Sequence, residues 1–238
     1  MQVKIRNLAP MNGTFLTPVW AGFHDGSFDL YDSGSPASSA LERLAEDGST
    51  APLTALFAMS GAGTQQGTLL GPMGAIAPGE TATMSFNLDP LSITSRYFSY
   101  ASMVIPSNDA FFANGNPLAF TVFNAMGQFV GGSFTVSGSM VLDAGTELND
   151  EVPANTAFFG QMAPDTGVTT NSVVMLHPGF IPGGPILSSA MFANADFTAT
   201  GYNVAEITIS EVPEPATIAL IGTPLLLLAL RRYRGRQL

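Results

Sequence analysis

The chain has 238 residues, eight of them basic and eighteen acidic, for a net charge of −10 at neutral pH, and no cysteine. That composition excludes disulfides, zinc–thiolate centres and thiol catalysis, and it argues against nucleic acid as a partner, because phosphate binding needs clustered Lys and Arg. Four of the bases are Arg231, Arg232, Arg234 and Arg236, which leaves only Lys4, Arg6, Arg43 and Arg96 against all eighteen acids; such a surplus attracts divalent cations or basic surfaces, and equally serves plain solubility.

Met1 to Arg6 reads as a strand, with Val3 and Ile5 on one face. It lacks the basic end and apolar stretch of a secretory leader. If the chain is exported, the expectation is either a start codon assigned too late, the favoured reading, or a leader already removed. Phe15–Phe23 follows as an extended segment. Ser39 and Glu42 have the spacing of a capping box, Leu41, Leu44 and Ala45 share one helical face, and Gly48 sits where a helix C-cap belongs. These signals predict one short helix over residues 39–47. Leu53, Leu56 and Phe57 fit either a second helical turn or an extended segment.

Thr81–Leu88, Tyr97–Ile105, Leu118–Asn124, Gly132–Asp143 and Tyr202–Ile209 then read as strands, rich in aromatic or β-branched residues and bounded by turn formers. Pro-Gly pairs at 78–79 and 178–179, and Pro182-Gly183-Gly184-Pro185, punctuate the loops. At least six such strands with one short helix predict an all-β fold, an antiparallel β-sandwich, over residues 1–209. There is no internal repeat.

Residues 210–238 form a separate unit: a linker, Val212-Pro213-Glu214-Pro215, an uncharged apolar run from Ala216 to Leu230, and an arginine-rich end. Proline stops regular structure. The run is fifteen residues long, short of the roughly 17–25 of an ordinary span, but arginine stems snorkel and so extend its reach. Arg231, Arg232 and Arg234 would hold the end on the cytoplasmic side as a membrane anchor. This tail resembles the PEP-CTERM sorting signal of Gram-negative bacteria. The resemblance implies export, a transmembrane helix that anchors the precursor in the inner membrane, and processing near Pro-Glu-Pro by an exosortase-type enzyme, followed by release to the cell surface or extracellular matrix.

Four segments of the body, in order, resemble the spondin N-terminal domain: Phe15-Leu16-Thr17-Pro18-Val19-Trp20-Ala21-Gly22-Phe23-His24; Leu41-Glu42-Arg43-Leu44-Ala45-Glu46-Asp47-Gly48; Ser102-Met103-Val104-Ile105-Pro106-Ser107-Asn108-Asp109-Ala110-Phe111-Phe112; and Leu142-Asp143-Ala144-Gly145-Thr146-Glu147. The resemblance spans about residues 3 to 205 and implies a β-sandwich. Animal members carry disulfides and favour tryptophan where this chain has Ala110, so their adhesion partners do not transfer.

Asp109 and Asp143 both fall at strand ends beside loop carbonyls, the setting in which calcium gathers its six to eight oxygen ligands. The resemblance implies calcium at these two segments, which makes Asp109, Asp143 and Glu147 the candidate metal ligands, with Asp150 and Glu151 in reserve. Alternatively, Asp109 caps a turn and residues 147–151 form a solvated loop. A catalytic reading rests on thin signals. His24 and His177 are the only histidines, Asp25 and Ser27 lie near His24 in sequence alone, and nucleophile-elbow, phosphate-loop and zinc-helix motifs are all missing. Trp20 is expected in the core, and one residue of each pair Phe111-Phe112 and Phe158-Phe159 is expected at the surface.

The expected function is therefore non-enzymatic: an exported, calcium-binding sandwich acting in adhesion or in assembly of an extracellular matrix, with polysaccharide as a possible partner. Two other classes stay open, a carbohydrate-active hydrolase using an Asp/Glu pair and a structural surface protein without a specific ligand.

Overall fold

The computed structural model describes residues 1–212. Two sheets form its body, both antiparallel. The first has the order β5 (Thr81–Ser85), β1 (Gln2–Asn7), β11 (Asn203–Ser210), β8 (Ser133–Ser137). The second has the order β10 (Met175–Leu176), β9 (Leu142–Asp143), β7 (Ala110–Ala113), β6 (Tyr97–Ile105), β3 (Val19–His24), β4 (Gln65–Leu69), with β2 (Phe15–Leu16) also paired to β6. The all-β sandwich expected from the strand pattern is therefore present.

β1 shows why the first sheet has a wet face. Val3 and Ile5 are fully buried while Lys4 and Arg6 are exposed, and β5 and β11 flank it in register, with Ile5 opposite both Ala82 and Ile207. Apolar side chains alternate inward and charges outward, as one-sided burial requires. The inward face meets Val19, Ala21, Phe23, Phe98, Tyr100 and Phe112 of the second sheet in one continuous core.

The second sheet is covered on both faces. Its other side packs Trp20, Ala101, Phe111 and Leu142 against Leu41, Leu44, Leu53 and Phe57 from two helices. β3 and β7 are buried at every residue and β6 at all but its first. Phe111 and Phe112 are both fully buried, contrary to the expectation that one reaches the surface, because β7 has a core on each side. In the second pair Phe158 is exposed and Phe159 partly buried, as expected. Trp20 is fully buried, its indole N–H donating to Gln66 Oε1 at 2.9 Å.

The helical content exceeds the single helix expected. α1 (Ser39–Asp47) is there, but its N-cap is Ser38, whose Oγ accepts from the Leu41 N–H, so Glu42 lies one residue too far along to complete a capping box. Gly48 closes α1 at φ 66°, a left-handed conformation that glycine adopts without a Cβ penalty. α2 (Ala51–Ser60) follows, with Pro52 in its first turn and Gly61 as its cap. α3 (Pro185–Ser188) is a single turn.

Several strands differ in extent. Phe15–Phe23 divides into β2 and β3 around Pro18, which has no N–H to give a ladder. Gly132–Asp143 divides into β8 and β9 around a 3-10 turn at Gly138–Met140. Leu118–Asn124 makes only isolated bridges, Tyr97 to Thr121 and Phe123 to Phe129. Among the described residues no helix is long and apolar enough to cross a membrane. The sorting motif beyond Val212, namely Pro213, Glu214 and Pro215, lies outside the described residues, as do the apolar run and Arg231, Arg232 and Arg234.

Candidate metal centre

β7 and β9 pair so that Ala110 faces Asp143 and Phe111 faces Leu142. Asp109 directly precedes β7, and its carbonyl accepts from the Ala144 N–H at 3.2 Å. The ladder thereby carries Asp109 and Asp143, far apart in sequence, to one end of the second sheet. The loop that leaves β9 turns at Gly145 and wraps back over that end.

Asp109 has no solvent exposure. Its Oδ2 accepts three bonds, from the Thr146 N–H at 2.9 Å, the Glu147 N–H at 3.1 Å and the Thr146 hydroxyl at 3.3 Å. Its Oδ1 is buried without any donor. Burial, and then the charge of Asp143, push the Asp109 carboxyl up to about 6 despite those three bonds. A lone pair sealed from water and facing no donor is costly.

Asp143 is better provided for. Oδ1 accepts from the Gly145 N–H at 2.7 Å and Oδ2 from Asn149 Nδ2 at 2.6 Å. The Asn149 carbonyl oxygen lies 3.1 Å from His177 Nε2. Since His177 Nδ1 accepts from the Gly179 N–H at 3.0 Å, the ring proton sits on Nε2 and donates to Asn149. Burial lowers the His177 pKa to about 4, so the ring is neutral at physiological pH.

Glu147 is divided between two sets of neighbours. Its backbone N–H serves Asp109, but its carboxylate turns to the Gly167 N–H, which donates to Oε1 at 2.9 Å. There it joins Glu46 and Asp165, one carboxylate oxygen from each of the three lying within 4.8 Å of the others. Its Oε2 is buried without a donor. Burial first, then the charge of Glu46, raise the Glu147 carboxyl to about 7. Burial also raises Glu46 above the usual carboxylate range, against the opposing effects of Thr146 and Arg43.

The reserve candidates do other work. Asp150 accepts from Asn108, Asn155 and the Val152 N–H, which organises its own loop. Glu151 is 2 % exposed and accepts from the N–H groups of Ile181, at 2.6 Å, and Ile186, at 3.2 Å. It thus ties the loop to the start of α3. Glu46 and Asp165 escaped the sequence reading. The nearest signal for Glu46 is the run Arg43-x-x-Glu46-Asp47, whose spacing places ion-pair partners on one helical face; nothing marks Asp165 among other loop acids.

Neither histidine is poised as a base. His24 is fully buried; its Nδ1 accepts from the Gly26 N–H at 3.0 Å, which leaves Nε2 to donate to Ser99 Oγ at 2.8 Å. Burial lowers its pKa to about 4. Asp25 turns instead to Ser27, 2.6 Å away.

The candidate ligands at the sheet end are the carboxylates of Asp109 and Asp143, and the chain has no thiolate. Hard cations bind such oxygens, and calcium tolerates irregular geometry better than magnesium. The two orphaned carboxylate oxygens satisfy the same test, since each lacks a positive partner that a cation would provide. No family model matches the chain, and no curated protein is significantly similar to it.

Proposed function

We propose that this protein is an exported, non-enzymatic β-sandwich that binds calcium at the Asp109–Asp143 strand ends and acts in adhesion or in the assembly of an extracellular, exopolysaccharide-containing matrix. The observation that carries the calcium assignment is Asp109 Oδ1, a buried carboxylate oxygen with no donor, next to a second carboxylate. The spondin-like segments supply the same two aspartates, and the acidic body favours a cation on electrostatic grounds. The PEP-CTERM-like tail supports delivery to the envelope, with exosortase-type processing.

A cleft of about 240 Å³, lined by residues including Glu42, Thr146, Thr169, Asn171 and Ser172, runs beside the acidic loop. Its hydroxyl and amide groups suit a polyhydroxylated ligand, which favours polysaccharide as the matrix partner.

Calorimetry with calcium on the parent, Asp109→Ala and Asp143→Ala proteins tests the binding reading. Both substitutions are expected to weaken calcium uptake; unchanged binding in both removes the assignment. Cell fractionation with carbonate extraction tests delivery: unprocessed chain should stay with membranes, and its full release would remove the anchor.

A further inference from the structure

Four carboxylates meet one guanidinium where α1 touches the loop around residues 163–168. Arg43 Nη1 lies 3.1 Å from Glu46 Oε2 and 3.7 Å from Asp165 Oδ2, and Arg43 also pairs with Asp47. Glu147 completes the group. One guanidinium therefore serves four carboxyl groups. Glu46 is 2 % and Glu147 4 % exposed, so solvent does little to screen their repulsion.

Glu147, which belongs to this group, keeps one buried carboxylate oxygen, Oε2, that receives no hydrogen bond. That orphaned atom is distinct from Asp109 Oδ1, although the charge of Asp109 also acts on Glu147. The loop is also built to lie directly on the carboxylate. A Cβ on Gly167 would overlap Glu147 Cδ and both carboxylate oxygens, so a side chain there would have to push the carboxylate aside. The Gly167 N–H serves Oε1 and leaves Oε2 without a donor.

We propose that Glu46, Glu147 and Asp165 form a second site for a hard divalent cation of the calcium class, separate from the Asp109–Asp143 site, which latches the 163–168 loop onto α1. Glu46 brings a ligand from the helix, Glu147 from the loop after β9, and Asp165 from the latched loop itself. A cation there compensates repulsion that Arg43 alone leaves, and gives the carboxylate of Glu147 the positive partner that its bare oxygen lacks. Asp165 is the exposed member, 70 % accessible at its side chain. The cation therefore has a route in from solvent, and the loop carrying Asp165 is the part that calcium fastens.

The test uses the full-length protein in detergent, stripped with EDTA and titrated with calcium chloride, with bound calcium counted by elemental analysis. The parent is expected to take up two ions, and Asp165→Asn one. Because Asp165 is exposed, that variant retains the fold; Glu46→Gln is its buried counterpart and should match it. Asp109→Asn should lose the other ion and keep this one. Limited proteolysis gives a second readout. Calcium should slow cleavage in 163–168 at least tenfold in the parent and in Asp109→Asn, but not in Asp165→Asn. Unchanged calcium uptake in Asp165→Asn, or loop cleavage indifferent to calcium in the parent, overturns the latch. A single ion lost in Asp165→Asn but kept in Asp109→Asn removes the strand-end site and leaves the latch standing.

Discussion

Replacing Asp109 by asparagine should stabilise the calcium-free protein, although it removes an anion that accepts three hydrogen bonds. The substitution keeps the shape. One amide oxygen can take over the bonds from Thr146 and Glu147, and the NH2 group falls where Oδ1 now lacks a donor. The carboxyl is shifted from 3.8 to about 6, burial being the main cause and Asp143 the second. One pKa unit corresponds to about 1.4 kcal/mol, so the ionised Asp109 costs the fold at most about 3 kcal/mol. The folded-state pKa is the higher one, so the fold binds the proton more tightly than the unfolded chain does. The associated stability is complete below about pH 4 and is lost by about pH 6. At pH 8 without calcium, the Asp109→Asn protein should therefore melt above the parent, by no more than roughly 6–12 °C for a chain of this size. The gap should close as the pH falls toward 4. With calcium at 100 times its dissociation constant the parent should gain about 2.7 kcal/mol, and the variant much less. Calorimetric melting at pH 4, 6 and 8, with EDTA or calcium, reads all of this. A variant that melts below the parent at pH 8 in EDTA would refute the reasoning and make Asp109 a turn cap.

Gly167→Ala should destabilise by about 1–3 kcal/mol in urea unfolding, because the new methyl group displaces either the loop or the Glu147 carboxylate. Trp20→Ala should cost about 3–5 kcal/mol in the same assay, since the ring is fully buried against Phe28 and Phe57; a loss under about 1 kcal/mol would contradict the two-faced burial of the second sheet. His24 has its pKa lowered from 6.5 to about 4, so the unfolded chain takes up a proton in that window and the fold does not. Its contribution is complete above pH 6.5 and falls by at most about 3 kcal/mol by pH 4; His24→Gln should flatten that part of the acid stability profile.

The sandwich was legible because β1 and β5 alternate, and alternation reports one wet face. Of the helical layer, α1 was legible from its periodicity and its glycine cap. What α1 and α2 cover left a trace in the mostly apolar stretches of β3 and β6, Val19–Phe23 and Tyr97–Ile105, which mark strands covered on both sides. α2 eluded periodicity because apolar residues surround it: Leu53 and Phe57 are buried, while Met59 is 79 % exposed. β4, Gln65–Leu69, carries almost no apolar signal and is held by its ladder with β3. At the site, Asp109 and Asp143 could be joined from sequence because both end strands and share recognisable segments. Glu46 and Asp165 could not, because they meet only after the loop beyond β9 has folded back on α1.

The acidic residues around this end of the sheet differ in how fully the protein already serves their oxygens. Asp143, Asp150 and Glu151 have donors on both oxygens. Asp109 and Glu147 each have one oxygen served and one bare, and burial and like charge raise their carboxyls, to about 6 and about 7. Without metal, a proton is what relieves each bare oxygen, so calcium must displace it. Calcium binding near pH 6.5 should then release protons, and almost none at pH 8.5. Titrations in buffers of different ionisation enthalpy measure that release directly. Glu147→Gln should reduce it more than Asp109→Asn, because Glu147 is the group still largely protonated at pH 6.5. Equal heats in every buffer at pH 6.5 would mean that calcium binds elsewhere on the acidic surface, where carboxylates are already ionised and have nothing to release.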